Sequence, residues 1–522
     1  MSQRWKIAIA ITIGLLGLIC IWFVIMHCQP ESEVEAYKKS LRARGEKLEI
    51  AEVLPTPIPP DQNSADAVQA AFKLLNFGED VLWTNPPSPM RMVAPGRAMI
   101  GWRQPDIRNG STNTWEDVQL SVTARRPALD LLQQVRDHPA IDFQLNYAGG
   151  PSLLLPHLPP LRHCAQSLSV AAMCDLHNSA PGSATANVCT MLALVQGMHD
   201  ERLLISQLVR MAITQITLGA SWELLQSTNL TDVQLAALQR AWERLEFINA
   251  AENSMLMERA TTEATIKEMR ASARTFHSTL GLFGAGAPTA ASGAGGSGDW
   301  FEDISDWAKS GWDRAKWTGA AFMWQTSWSY SDERRALQGS QLVLEALRTA
   351  KTDQFFQPAY TNLLVQLATI QITNTDEGWL GSLDLPDFRW IFSESVGAYS
   401  GTVRKTASSE VARRLAITAI VLKRYQLRHG NYPSRLSETT PEFLATVPLD
   451  PVDGQPLRYR LNPDGTFLLY SIGDDGVDDG GNPVPSGFVA NPNWYWQRGR
   501  DWVWPQPATP AEVQDFYEHP PK

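Results

Sequence analysis

The chain has 522 residues, of which 19% are charged and 44% hydrophobic, and its formal net charge is −10 at pH 7. So much apolar material with so little charge excludes a largely disordered protein, and the length suffices for two or three domains with buried cores. The acidic balance argues against nucleic acid as a partner, because little here would neutralise phosphates; the one basic run, Lys38 to Arg44, reads as a solvated helix face.

In chain order, the first element is Ile7 to Met26, IAIAITIGLLGLICIWFVIM, a stretch without a charge. At ~1.5 Å rise per residue it covers ~30 Å, the thickness of a bilayer's hydrocarbon core, and predicts a single transmembrane helix. Arg4 and Lys6 precede it and Glu31, Glu33 and Glu35 follow, so the positive-inside bias puts the N-terminus in the cytoplasm and everything from Cys28 onward outside. The long apolar core, and the lack of a small-x-small site in His27-Cys28-Gln29-Pro30, predict an uncleaved anchor rather than a signal peptide.

Ser32 to Glu46 predicts a charged helix, and the proline-rich run from Val53 to Pro60 predicts extended chain, since proline removes donors and disfavours helix. Together they are expected to form a juxtamembrane helix and a stiff spacer that lifts the folded part off the membrane. A short helix, Ala65 to Leu75, comes next, then an irregular, surface-packed connection over residues 77–115, then helical periodicity over Trp115 to Arg136. From Leu153 to Lys351 nearly every segment reads as helix. Leu161 to Asp175 and Thr185 to His199 flank the turn NSAPGSA, and Cys174 and Cys189 are equally far from its middle. An antiparallel helical hairpin would bring those two cysteines face to face, and oxidising surroundings permit a disulfide between them. Glu201 to Gln226 carries a broad apolar stripe, and Thr231 is set to cap a helix over Asp232 to Ala251. Short turns between helices imply antiparallel neighbours, hence a bundle or an array of hairpins.

Gly281 to Gly298, nearly all small residues, predicts a mobile loop. A tryptophan-dense stretch follows, in which Trp317, Trp324 and Trp328 share one helical face; packing on neighbouring helices is the expected role, because Asp303, Asp306 and Asp313 speak against a membrane interface. Helices resume over Asp332 to Ala350 and Asp353 to Thr373. Ser408 to His429 predicts a helix stopped by Gly430 and Pro433, and Leu457 to Leu461 and Thr466 to Tyr470 alternate as strands around the turn Asn462-Pro463-Asp464-Gly465. The tail, 491–522, is rich in Trp and Pro and is expected to pack across the helical domain.

Three phrases in order, HGNYP at 429–433, PLDPVDGQPLRYR at 448–460 and FLLYSIGDDGVDDGG at 467–481, resemble the C-terminal half of the type II secretion major pseudopilin. That resemblance covers roughly residues 408–482 and implies a helix packed on a small antiparallel sheet, with a calcium-binding loop after the last strand. Carried over residue by residue, Asp475 matches the loop carboxylate, Leu469 and Ser471 would offer main-chain oxygens, and Asp478 or Asp479 would add a second carboxylate. Calcium takes six to eight oxygens at ~2.3–2.6 Å, which acidic residues with Gly at the bends can supply. A pseudopilin's processed leader and the direct run of its apolar helix into this module are missing here, so the module reads as reused rather than filament-forming. The chain also resembles membrane-anchored bacterial proteins sharing LRARGEKLEIAEV at 41–53 and LLPHLPPLRHCAQ at 154–166, a likeness that implies no activity.

The expected fold class is therefore mainly α. It comprises a cytoplasmic start and transmembrane anchor (1–30), the juxtamembrane helix and spacer (31–61), a large α-helical domain (62–400), a small α+β module (401–490) and the tail. The expected setting is the bacterial inner membrane with the bulk of the chain periplasmic. The expected role is a structural or interaction protein that contacts other envelope proteins in secretion or envelope assembly. The alternative is a membrane-tethered hydrolase centred on His157, His163, His177 and His199. Against it, no HExxH, GxSxG or P-loop motif accompanies those histidines.

Overall fold

The computed structural model describes residues 12–14, 17, 29–75, 86–109, 111–282, 316–370, 391–393, 396–473, 475–485, 487 and 499–519. Most of the predicted anchor, most of the Gly-rich run, and Trp300, Trp307 and Trp312 lie outside them. Among the described residues no helix is long and apolar enough to cross a membrane.

The chain is mainly helical with three small sheets. Helix α1 covers residues 29–43, and α2 is Ala65–Leu75. Two short hairpins follow, β1 (Arg91–Ala94) with β2 (Arg97–Met99) and β3 (Ile107–Asn109) with β4 (Ser111–Asn113), where only irregular chain was expected. Then come α3 (Trp115–Gln133), α4 (Leu158–His177), α5 (Pro181–Gly197), α6 (Leu204–Leu225), α7 (Asp232–Glu243), α8 (Ile248–Ala271) and α9 (Ala273–Leu282). Capping boxes start α3, through Thr114 and Asp117, and α7, through Thr231 and Gln234, while Pro181 opens α5 where its missing N–H costs nothing.

Residues 316–328 are helical and run into α10 (Ser329–Asp353); α11 (Gln357–Ile370) and the 34-residue α12 (Val396–His429) complete the helical body. Strands β5 (Arg458–Leu461), β6 (Phe467–Ser471) and β7 (Trp502–Val503) form an antiparallel sheet, and β8 (Gln506–Pro507) and α13 (Pro510–Glu518) end the chain.

The helix expected over Asp232 to Ala251 is two helices. The chain breaks between α7 and α8 because Leu245 and Phe247 turn into the core, and the Phe247 N–H finds the Glu410 carboxylate of α12 at 3.1 Å in place of a helical carbonyl.

The largest apolar core gathers α2 to α7, the middle of α12 (Val411 to Leu422) and the β5–β6–β7 sheet with Trp502 and Trp504. A second core joins α8, α10 and α11, and reaches Val403 near the start of α12. Helix α12 is thus a wall shared by both cores. The tail is woven in as well: β8 pairs in parallel with β2, matching Arg97 with Gln506, and Trp222 of α6 donates to the Pro505 carbonyl at 2.9 Å. Trp317 and Trp324 are buried against Phe276 and Met269 in a third cluster.

Residues 29–53 pack on the helical body: Val34, Leu41 and Leu48 bury against Leu337 of α10, and fully buried Val53 accepts at its carbonyl from Arg202 at 2.8 Å. The proline-rich run behind them, residues 54–59, is extended and largely exposed. One expectation is corrected: Cys174 and Cys189 do not pair, and both are free. Helices α4 and α5 do form a hairpin, but distance from a turn sets only height along the axes, while azimuth is set by 3.6 residues per turn. Cys174 points its thiol at Gln119 of α3, 3.0 Å away, and Cys189 lines a hollow facing α7.

Candidate functional site

The four histidines sit on or beside α4 and α5, yet each has its own partners. His177 stacks on Trp115 with centroids 4.3 Å apart and meets the Trp102 carbonyl at 2.9 Å. His163 lies against Gln166 at 3.0 Å, and burial next to Arg162 pushes its pKa down to about 4. His199 is held between Asp200 and Glu246, each at 3.0 Å; hydrogen bonds to Asp200 and then Glu246 push it up to about 9, so it is imidazolium at neutral pH.

His157 comes nearest to a catalytic arrangement. It is buried against Phe143 and bonds both oxygens of buried Glu201, at 2.9 and 3.1 Å, while Ser206 donates to the same carboxylate. The order is not that of a Ser-His-carboxylate triad. A nucleophilic serine needs the imidazole beside it to take its proton, with the carboxylate behind; here the carboxylate stands between the two. The neighbouring groups continue the same pattern of internal closure. Gln207 donates to the carbonyls of Met198 and Glu201, and fully buried Arg210 donates to those of Val195 and Glu246 while lying over Phe247. This chain of polar groups is a joint that ties α5, α6 and the α7–α8 break together, and it satisfies the rule that buried charge must be paired.

The acidic turn after β6 was the other candidate. Asp450, missed in the sequence because it precedes the strands, is its centre: fully buried, it accepts from the N–H groups of Val452 (2.9 Å) and Ile472 (3.1 Å), from the Ser471 hydroxyl (2.8 Å) and from Arg458 (3.2 Å). Arg458 also reaches Asp453 at 2.6 Å and Asp478 at 3.4 Å. Its guanidinium thus bridges three carboxylates, Asp450, Asp453 and Asp478.

The remaining predicted ligands are engaged or turned away. The Leu469 carbonyl accepts from Trp504 N–H at 2.9 Å, and Asp478 accepts from the Tyr470 hydroxyl and Gly480 N–H, both at 3.0 Å. Asp479 faces Arg500 at 3.7 Å; Asp475 is exposed and accepts only from Val477 N–H, at 3.0 Å, among the described residues. The loop presents N–H groups inward, those of Gly481 and Asn482 donating to buried Asp501 at 2.8 and 2.9 Å. A calcium loop would present carbonyls instead. Among the described residues no three His, Cys, Asp or Glu side chains are placed to hold a metal ion, and Asp474 lies outside them. In this arrangement the Leu469 carbonyl, Asp478 and Asp479 are engaged by protein groups, the Ser471 hydroxyl donates to Asp450, and Asp475 is at the surface.

Sequence reading also missed a third cluster. Glu46, 8% exposed, accepts from Arg259 (2.9 Å), Arg348 (2.5 Å) and Gln341 (3.0 Å). Nearby Lys38 lies between Glu333 and Glu263, and Arg334 pairs with Glu33. No spacing rule links residues 38 and 46 to helices more than 200 positions away, and only the Glu-Lys composition of LRARGEKLEIAEV hinted at them. Comparison with protein-family models, with curated proteins and with solved structures finds no match to this chain.

Proposed function

We propose that the chain is a structural and interaction protein of the bacterial envelope, anchored in the membrane through residues 7–26 with its bulk on the extracytoplasmic side, and that it acts through protein contacts. The observation that carries this reading is the clamp at Glu46. If the apolar stretch lies in lipid, residues 29–53 are the first chain outside it, and there α1 and the segment behind it are held by buried charges to α8 and α10. A flexible tether would let the body tumble; a clamp keeps one face turned to the membrane, which suits a protein that presents a surface to neighbours. The polar clusters support the same reading, because most of their donors and acceptors join one helix to another and so fix how the helices meet. The pseudopilin-like region, with α12 packed on a three-stranded sheet, points toward secretion or envelope assembly.

The test is fractionation of cells expressing the intact chain. It should remain in the membrane pellet after alkaline carbonate, dissolve in detergent, and be digested by protease added to sealed spheroplasts. Recovery in the carbonate-soluble fraction, or protection of the large portion from protease, would overturn the proposal.

A further inference from the structure

A hollow of about 230 Å³ opens between α5, α7 and the turn that ends α3. Three arginines border it: Arg136 from that turn, and Arg240 and Arg244, which are four residues apart and so share one face at the end of α7. None of the three forms an ion pair with a carboxylate among the described residues; Arg136 donates only to the Gln133 carbonyl of its own turn, at 3.3 Å. In a chain of net charge −10, three arginines around one hollow with no carboxylate among the described residues of its lining make a locally positive surface that attracts an anion. Two further groups face the hollow. They are Gln196 and Cys189, which line it from α5 two helical turns apart. Ala241 and its neighbours on α7 keep one wall small and apolar.

We propose that this hollow binds an organic phosphate monoester. The three terminal oxygens and charge of nearly −2 of such a group match three guanidiniums, each of which offers paired donors in one plane. A carboxylate, with two oxygens and one charge, leaves one arginine unanswered. The carbon skeleton lies along Ala237 and Ala241, the small apolar residues of the α7 wall. The volume, just under the usual range for small-molecule pockets, restricts the organic part to a few carbons or to the exposed head of a lipid.

The experiment is titration calorimetry on the intact chain in detergent, with glycerol 3-phosphate as the soluble probe and dihexanoyl phosphatidic acid as the lipid-headgroup probe. Binding of the first assigns a free metabolite, and binding of the second alone assigns a headgroup; either keeps the site. Arg240→Ala/Arg244→Ala, two exposed positions, should weaken binding at least tenfold. Ala241→Phe, which fills the hollow and leaves the arginines in place, should abolish it. Bound probe should also slow alkylation of Cys189 by iodoacetamide. Failure of both probes to bind, binding by the variants equal to that of the parent chain, or acetate binding as tightly as the phosphates would overturn the proposal.

Discussion

Glu46 and Arg259 meet at 2.9 Å although 213 residues separate them in sequence, with the guanidinium wholly buried and the carboxylate nearly so. This pair is the centre of the attachment between the N-terminal arm and the helical body. Removing one partner of a buried pair leaves an uncompensated charge, which costs about 3–5 kcal/mol. Glu46→Ala should therefore lower the melting temperature and make residues 29–53 sensitive to limited proteolysis before the body unfolds. An unchanged melting temperature together with a protected arm would show that the apolar contacts of Val34, Leu41 and Leu48 suffice alone.

The same carboxylate predicts an acid limit. Burial alone would raise its pKa, but hydrogen bonds from Arg348, Arg259 and Gln341 outweigh it and bring it down to about 2 from an ordinary 4.5. A group whose pKa is depressed by folding stabilises above its unfolded value and loses that contribution as pH falls through the folded one. Stability should therefore decline between about pH 4.5 and pH 2 in the parent chain, and less steeply in Glu46→Gln, as read by denaturant unfolding at stepped pH.

Buried Glu223 and partly exposed His199 predict a decline in stability as pH rises. Glu223 of α6 accepts from the Met90 and Gly101 N–H groups and is pushed up to about 8 by burial; His199 is pushed up to about 9 by its hydrogen bonds to Asp200 and then Glu246. A pKa raised by folding gives stability that is complete below the unfolded value and is lost as pH rises through the folded one. For Glu223 that window runs from 4.5 to about 8, and for His199 from 6.5 to about 9. Glu223→Gln should flatten the lower part of the decline and His199→Gln the upper part. Identical pH profiles for the parent and both variants would refute the assignment.

At the acidic turn, Arg458 does the work of a cation. In the parent chain, millimolar calcium or a chelator should leave the melting temperature unchanged. Arg458→Ala removes the guanidinium and leaves Asp450, Asp453 and Asp478 repelling one another, so it should melt lower and recover in part with calcium. Calcium stabilisation of the parent that disappears in Asp475→Ala would restore the metal reading of this turn.

The thiols offer a simpler check. Cys164, Cys174 and Cys189 should all be alkylated in denaturant without prior reduction. In the native state only half-buried Cys189 should react, slowly at neutral pH, because burial pushes its thiol up to about 11. Recovery of a cross-linked peptide joining Cys174 to Cys189 from a non-reduced digest would reinstate the disulfide.

Helix identity was legible in the sequence wherever local chemistry decides it. The cap at Thr231, the stop at Gly430, the turn Asn462 to Gly465 and the apolar stripe of α6 act within one or two turns of chain, so their signals are local. The break at Arg244–Phe247 was not legible, since it depends on Glu410 of a helix 163 residues away, and neither was the β2–β8 pairing across the full length of the chain. Sequence alone determined a mainly helical protein with a small sheet near its end, because period and propensity are properties of short segments. Tertiary structure decided that residues 29–53 are clamped rather than free, that Cys174 and Cys189 face different helices, and that Arg458 stands among the carboxylates. Each of these depends on the azimuth at which distant helices meet, and that is set by the packing of whole side-chain faces and not by any one stretch of residues.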